Sequence, residues 1–199
     1  MINLHRINDI RWINRYFLQA HALLADGGYF AGKAETIDVL LNRFGEKYPK
    51  YIREFFYALH FIWARIFPKL NLTKKFYFGI TRGKNRAISR TEILGRLSFC
   101  GFKIVDEAYI DHVFYFVAQK VKTPSVDESP SYGPFVRFER VGFQGNLIYT
   151  YKFRTMYPYS EYLQEYVYEK NQLQDGGKFK DDFRVTRYGK IMRKLWLDE

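Results

Sequence analysis

The sequence contains a single cysteine, Cys100, which excludes an internal disulfide and any cysteine-cluster metal site. The thiol falls in an apolar helical stretch and is expected in the core, and a reducing, cytoplasmic setting is the simpler expectation for such a chain. Long hydrophobic runs are missing too: none approaches the roughly 18 apolar residues of a spanning helix. The N-terminus mixes Asn, His, Arg and Asp and does not have the pattern of a secretory leader. No internal repeat is visible. Acids are scarce, 21 against 32 lysines and arginines, for a formal charge of +11.

Aromatic residues are abundant, with 17 Tyr and 19 Phe among 199 residues, a length that buries one good core or two small ones. The charge is uneven. Residues 43–103 hold 14 basic residues against Glu46, Glu54 and Glu92, whereas 121–199 are nearly balanced. The positive field therefore belongs to the middle of the chain, and suits an anionic lipid, a nucleotide sugar or a nucleic acid. Arginines beside aromatics do suit single strands. No RNA-binding motif accompanies them, so nucleic acid is not expected as a partner.

Taken in order, residues 4–24 have the period of an amphipathic helix, with Ile10, Ile13, Phe17, Leu18 and Leu24 on its apolar side. Asp26-Gly27-Gly28 stops it, and Tyr29 to Ala34 follows as a short buried strand. A second helix is expected after Ser89, its N-cap, with Glu92 completing a capping box. Leu94, Leu97 and Phe99 are its buried positions and Gly101 its C-terminal stop, with strands at Phe102–Asp106 and Val113–Lys120.

Between these lies an insertion, 37–86, centred on FFYALHFIWARIFPKL and flanked by lysines and arginines. It is too short to span a membrane. Two placements remain open: a helix lying on an anionic membrane surface, with Trp63 and Phe67 among its lipid contacts, or a core helix over the sheet. His60 has no ligand motif beside it and is expected as an ordinary half-buried histidine. The TRGKNR run lacks P-loop spacing and is expected as a solvated loop.

Residues 121–132 are rich in turn formers and mark a domain boundary. Beyond it, Val136–Val141 and Leu147–Phe153 are strand-forming runs, with Gly142 and Gly145 bracketing a hairpin turn. A tyrosine-rich helical spacer follows, expected to pack over the hairpin. The last helix is expected over Val185–Leu197, with Asp181 or Asp182 as N-cap and Arg187, Lys190, Arg193 and Lys194 on its polar side. It ends on Asp198-Glu199. Paired acids after a basic helix are suited to holding Mg²⁺ or attacking a phosphate, and are equally what a solvated acidic terminus looks like.

The stretch 133–199 resembles the bacterial sugar transferases, the monotopic phosphoglycosyl transferases. The matching elements are Gly133-Pro134, Glu139-Arg140-Val141-Gly142, Gly145 and Tyr151-Lys152-Phe153-Arg154-Thr155-Met156. They continue in order with Asp182-Phe183-Arg184-Val185-Thr186, Gly189, Arg193-Lys194 and Leu197-Asp198-Glu199. The resemblance implies that Asp198 attacks the β-phosphate of a UDP-sugar and releases UMP, while Glu199 helps hold Mg²⁺. A polyprenyl phosphate such as undecaprenyl phosphate would then take the phosphosugar. It implies phosphate-binding roles for Arg193, Lys152 and Arg154, and a location at the cytoplasmic face of the bacterial inner membrane.

The family domain extends beyond its Asp-Glu dyad and usually carries a re-entrant helix before the Gly-Pro. The expectation is therefore a fragment with an incomplete site and little activity as a 199-residue polypeptide. A catalytically empty membrane-binding or interaction module is the alternative.

Residues 1–120 resemble the later half of a class I methyltransferase, without that family's glycine-rich cofactor loop, so no methyl transfer is expected. The fold class expected is α/β. A partial Rossmann-like, methyltransferase-like half-domain (1–120) carries the helical insertion at about 37–86. It is joined by a linker (121–132) to a truncated α+β sugar-transferase domain (133–199), a β-hairpin plus helices.

Overall fold

The structure is a computed structural model that describes residues 1–39, 42, 49–68, 70–125, 135–170 and 182–197. It is mixed α/β, and the chain divides into two compact units, Met1–Ser125 and Val126–Glu199.

The first unit is built on a four-stranded sheet in the order β1-β2-β4-β3. β1 (Ile2–Arg6) runs parallel to β2 (Tyr29–Ala34), and α1 (Ile13–Leu23) makes the crossover between them. The hairpin of β3 (Phe102–Ile110) and β4 (Val113–Lys120) then adds antiparallel to β2. Helix α1 is shorter than its apolar period suggests. The residues before it form β1 and a 3₁₀ turn, Ile7–Asp9. β1 left no alternating signal because it is an edge strand on which only Asn3 is buried.

The core is aromatic. Phe17 of α1 meets Phe30 edge-on at 5.9 Å, and Phe30 packs on Phe102 and Phe116 at 5.7 and 5.9 Å between ring centres. Helix α4 (Arg90–Phe99) is nearly submerged, with Ile93, Leu94 and Leu97 fully buried. The Ser89 hydroxyl accepts from the Glu92 amide at 3.1 Å, as its position predicts. The Glu92 carboxylate pairs with Arg96 at 2.8 Å, so only half of the expected capping box is seen. Gly101, at φ +89°, ends α4, and a Cβ there would overlap the Lys122 carbonyl. Cys100 is buried as expected, and burial pushes its thiol up to about 12.

Two helices of the insertion are described, α2 (Lys50–Phe61), extended by a π turn at Ile62–Ile66, and α3 (Asn71–Thr81). His60 is half-buried, and burial lowers its pKa against the opposing charge of Glu35. The loop after α3 is pinned rather than simply solvated. The Asn85 amide donates to Asp9 at 2.9 Å, Asn8 donates to the Arg86 carbonyl at 2.8 Å, and the Arg86 guanidinium reaches the Ile10 carbonyl.

The second unit opens with the hairpin of β5 (Phe135–Val141) and β6 (Leu147–Phe153), paired from Phe135↔Phe153 to Val141↔Leu147. Gly145 takes φ +79° in its turn, where the Gly142 amide closes on the Asn146 carbonyl at 2.8 Å. The spacer forms a 3₁₀ turn at Ser160–Leu163 and then α5 (Gln164–Lys170). Tyr159, Leu163, Tyr166 and Val167 form its buried side, in keeping with a packing role. The last helix, α6 (Arg187–Lys194), starts later than its sequence period suggests. Its N-cap is Thr186, whose hydroxyl accepts from the Gly189 amide at 2.8 Å, and not Asp182, while Asp181 lies outside the described residues.

Candidate functional site

Within the second unit, a cavity of about 530 Å³ opens between the β5–β6 hairpin, the 3₁₀ turn and α6. Hairpin register puts Val136 opposite Lys152. With side chains alternating along a strand, Val136, Phe138 and Lys152 share the face toward the cavity. Arg154 follows just after β6, half-buried in the lining. Burial lowers its pKa, and the Glu161 charge opposes that shift. Glu161 is the acid among the cavity-lining residues.

Thr155 fixes the opposite wall. Its carbonyl accepts from the Thr186 amide at 2.9 Å and from the Thr186 hydroxyl at 3.1 Å. Its own hydroxyl accepts from Arg193 Nε at 3.1 Å, which places the arginine at the cavity edge. One threonine therefore joins the end of β6 to both the start and the last turn of α6. The adjacent bridge Met156↔Val185 and the Tyr157 amide bond to the Arg184 carbonyl, at 2.9 Å, hold the two segments together.

Arg184 is buried in this wall with its charge engaged. Its guanidinium grips Asp182 with Nε to Oδ1 at 2.9 Å and a second nitrogen to Oδ2 at 2.7 Å, and it donates to Gln164 at 2.7 Å. Burial alone would raise the Asp182 pKa. The Arg184 hydrogen bonds and charge, with Arg193, outweigh it and hold the carboxyl below its ordinary value. Arg184 is thus a structural cation. Lys152, Arg154 and Arg193 line the cavity together with Arg184, beside Thr155 and Ser160. Such a set has the chemistry suited to an anion with several oxygens, as a phosphate or diphosphate is.

Of the expected site residues, the structure brings together Lys152, Arg154 and Arg193 in one cavity. Asp198 and Glu199 lie outside the described residues. Among the described residues no group of three or more His, Cys, Asp or Glu is placed to hold a metal ion. The carboxylates of Asp198 and Glu199 have the right chemistry for Mg²⁺, which takes oxygen ligands. Trp63 and Phe67, expected as lipid contacts, are half-buried in the other unit. Their rings lie 5.4 Å apart and Trp63 rests on buried Tyr77 at 5.5 Å. The sequence motifs assign no role to Thr155, Ser160 or Glu161. Asp182 pairs with Arg184 instead of capping the helix, and the Asp-x-Arg spacing is the sequence signal for that pairing.

Residues 110–199 match the bacterial sugar transferase family. The match begins at Ile110, earlier than Gly133, and so takes in β4 of the first unit as well as the whole cavity. No curated protein and no solved structure matches the chain. The cationic cavity thus lies within the segment that matches this family, whose members work on sugar and lipid-phosphate substrates and are membrane-associated in general. No described helix is long and apolar enough to cross a membrane.

Proposed function

We propose that the sugar transferase segment is a phosphoglycosyl transferase. It moves a sugar-1-phosphate from a UDP-sugar to a polyprenyl phosphate, undecaprenyl phosphate in bacteria, in exopolysaccharide, lipopolysaccharide or other glycan synthesis. The observation that supports this most is the convergence of Lys152, Arg154 and Arg193 on one cavity, with Arg193 held by Thr155 five residues before Asp198.

In the first step a carboxylate oxygen of Asp198 attacks the β-phosphorus, and the bond to the oxygen bridging the two phosphates breaks. UMP departs with that electron pair, leaving the sugar phosphate on Asp198 as an acyl phosphate. A phosphate oxygen of the polyprenyl phosphate then attacks the same phosphorus and returns the carboxylate. A carboxylate approaching a diphosphate is repelled by it, and the cationic groups of Lys152, Arg154 and Arg193 offset that charge. When bound, Mg²⁺ supplies further neutralisation of the diphosphate, with Glu199 as its ligand.

The cytoplasmic face of the bacterial inner membrane is where a soluble UDP-sugar and a lipid phosphate meet. The first unit is read as a Rossmann-like half-domain without methyl transfer. Its parallel β1–α1–β2 crossover and reversed β3–β4 hairpin support the fold. A catalytically empty binding module is not favoured, because the family match covers the cavity as well as the Asp198-Glu199 pair.

Nucleotide product analysis tests the proposal. A form of the protein completed through the rest of the family domain, given UDP-sugar, Mg²⁺ and polyprenyl phosphate, should release UMP, and the 199-residue polypeptide little of it. Release of UDP instead would make it a different kind of transferase. Arg193→Ala should cost about 2–4 kcal/mol of transition-state stabilisation, the scale of one lost charge-stabilising donor.

A further inference from the structure

The insertion in the first unit leaves a large apolar surface uncovered. Along α2 and its π turn, Ile52, Phe55, Leu59, Ile62 and Ile66 recur in steps of three and four and are all exposed, forming one stripe. On α3, Leu72, Phe76 and Ile80 recur every four residues, and Leu72 is 92% exposed. Trp63, Phe67 and buried Tyr77 fill the contact between the two helices, and Phe76 meets Trp63 edge-on at 6.5 Å. The helices therefore have an apolar contact of their own and still present apolar stripes outward. Exposed apolar surface of this extent on a soluble face calls for an occupant.

We infer that this helical pair is a surface-seeking element that lies in the interface of an anionic lipid bilayer. The charge pattern selects that occupant. Residues 49–87 hold nine lysines and arginines and a single acid, Glu54, and Lys74 and Lys75 stand exposed on α3 between Leu72 and Phe76. Apolar stripes in a segment of strong net positive charge, on described helices too short to span, match an acyl–headgroup boundary with anionic headgroups. The element lies outside residues 110–199, so the inference does not depend on the transferase chemistry.

Vesicle co-sedimentation of the full-length protein tests it. The protein should pellet with phosphatidylcholine–phosphatidylglycerol vesicles, weakly with phosphatidylcholine alone, and less at high salt. Lys74→Glu with Lys75→Glu should weaken the partition about tenfold or more, since each cation near such a surface contributes substantially. Phe55→Ser with Leu59→Ser should abolish it while leaving the helical circular dichroism unchanged. A Phe55→Trp variant should show fluorescence quenching by brominated lipid. Equal binding by the serine variant, or no quenching at position 55, would overturn the proposal. So would a self-associated protein in sedimentation velocity whose association, rather than lipid binding, is lost in the serine variant.

Discussion

Gly189 of α6 lies directly on the Thr155 carbonyl: a Cβ at 189 would overlap the carbonyl oxygen and stand 2.8 Å from Thr155 Cα. The same threonine holds Arg193 at the cavity edge, so the glycine is what lets the helix carrying that arginine come this close to the hairpin. The chemistry of the site thus depends on a backbone contact that no charged residue makes.

Gly189→Ala should therefore destabilise the second unit by about 1–3 kcal/mol, the cost of overpacking. Alanine's better helix propensity, worth roughly 1 kcal/mol, offsets only part of that. The loss should appear in denaturant unfolding together with a raised KM for the UDP-sugar, because Arg193 is displaced. An unchanged midpoint would show that the contact relaxes freely.

Asp182 makes stability depend on acid pH. Its pKa is lowered in the folded state, so its contribution is complete above the unfolded value of about 4 and is lost as pH falls through the lower folded value. Unfolding curves should show stability dropping in that range, and Asp182→Asn should flatten the drop. Asp182→Ala removes the carboxylate that the buried Arg184 guanidinium grips and should cost about 3–5 kcal/mol near neutrality.

Cys100 should be inert to thiol reagents in the native state, since it is buried and its thiol is raised to about 12. Labelling with a chromogenic disulfide at pH 8 should proceed only with unfolding. Rapid native labelling would contradict the packing of α4 against α1, where the thiol donates to the Asn14 carbonyl at 3.7 Å.

The two kinds of aromatic in the insertion should behave differently. Trp63→Ala removes a ring packed on Tyr77 and Phe67 and should lower thermal stability, whereas Phe55→Ala, at an exposed position, should leave it nearly unchanged. Equal effects on the melting temperature would mean that the α2 stripe is covered.

Much of the strand framework is legible in the sequence because these strands are short runs rich in aromatic and β-branched residues bounded by turns, whether buried or exposed. Tyr29–Ala34, Val113–Lys120 and Leu147–Phe153 all follow that rule. β1 escapes it because an edge strand with one buried residue carries no alternation. The start of α6 is misplaced by sequence because Asp182 is an equally good capping residue, and capping competes with the local Asp-x-Arg pairing to Arg184 for the same carboxylate. The exposure of Phe55 against the packing of Trp63 is likewise invisible in a segment apolar on nearly every side. The cationic half of the site was readable as ordered motifs, but Thr155 was not, since a threonine acting through its carbonyl and hydroxyl leaves no charge pattern.

The central claim is that phosphorus, not the anomeric carbon, is the centre attacked, and that Asp198 attacks it. A form of the protein completed through the rest of the family domain should be incubated with a UDP-sugar labelled at the β-phosphate, with Mg²⁺ and without lipid acceptor, then precipitated and counted. The account predicts label bound to the protein in step with UMP release, chased off by polyprenyl phosphate, and absent in Asp198→Asn. Label that leaves with the nucleotide, or UMP release undiminished in Asp198→Asn, would contradict it.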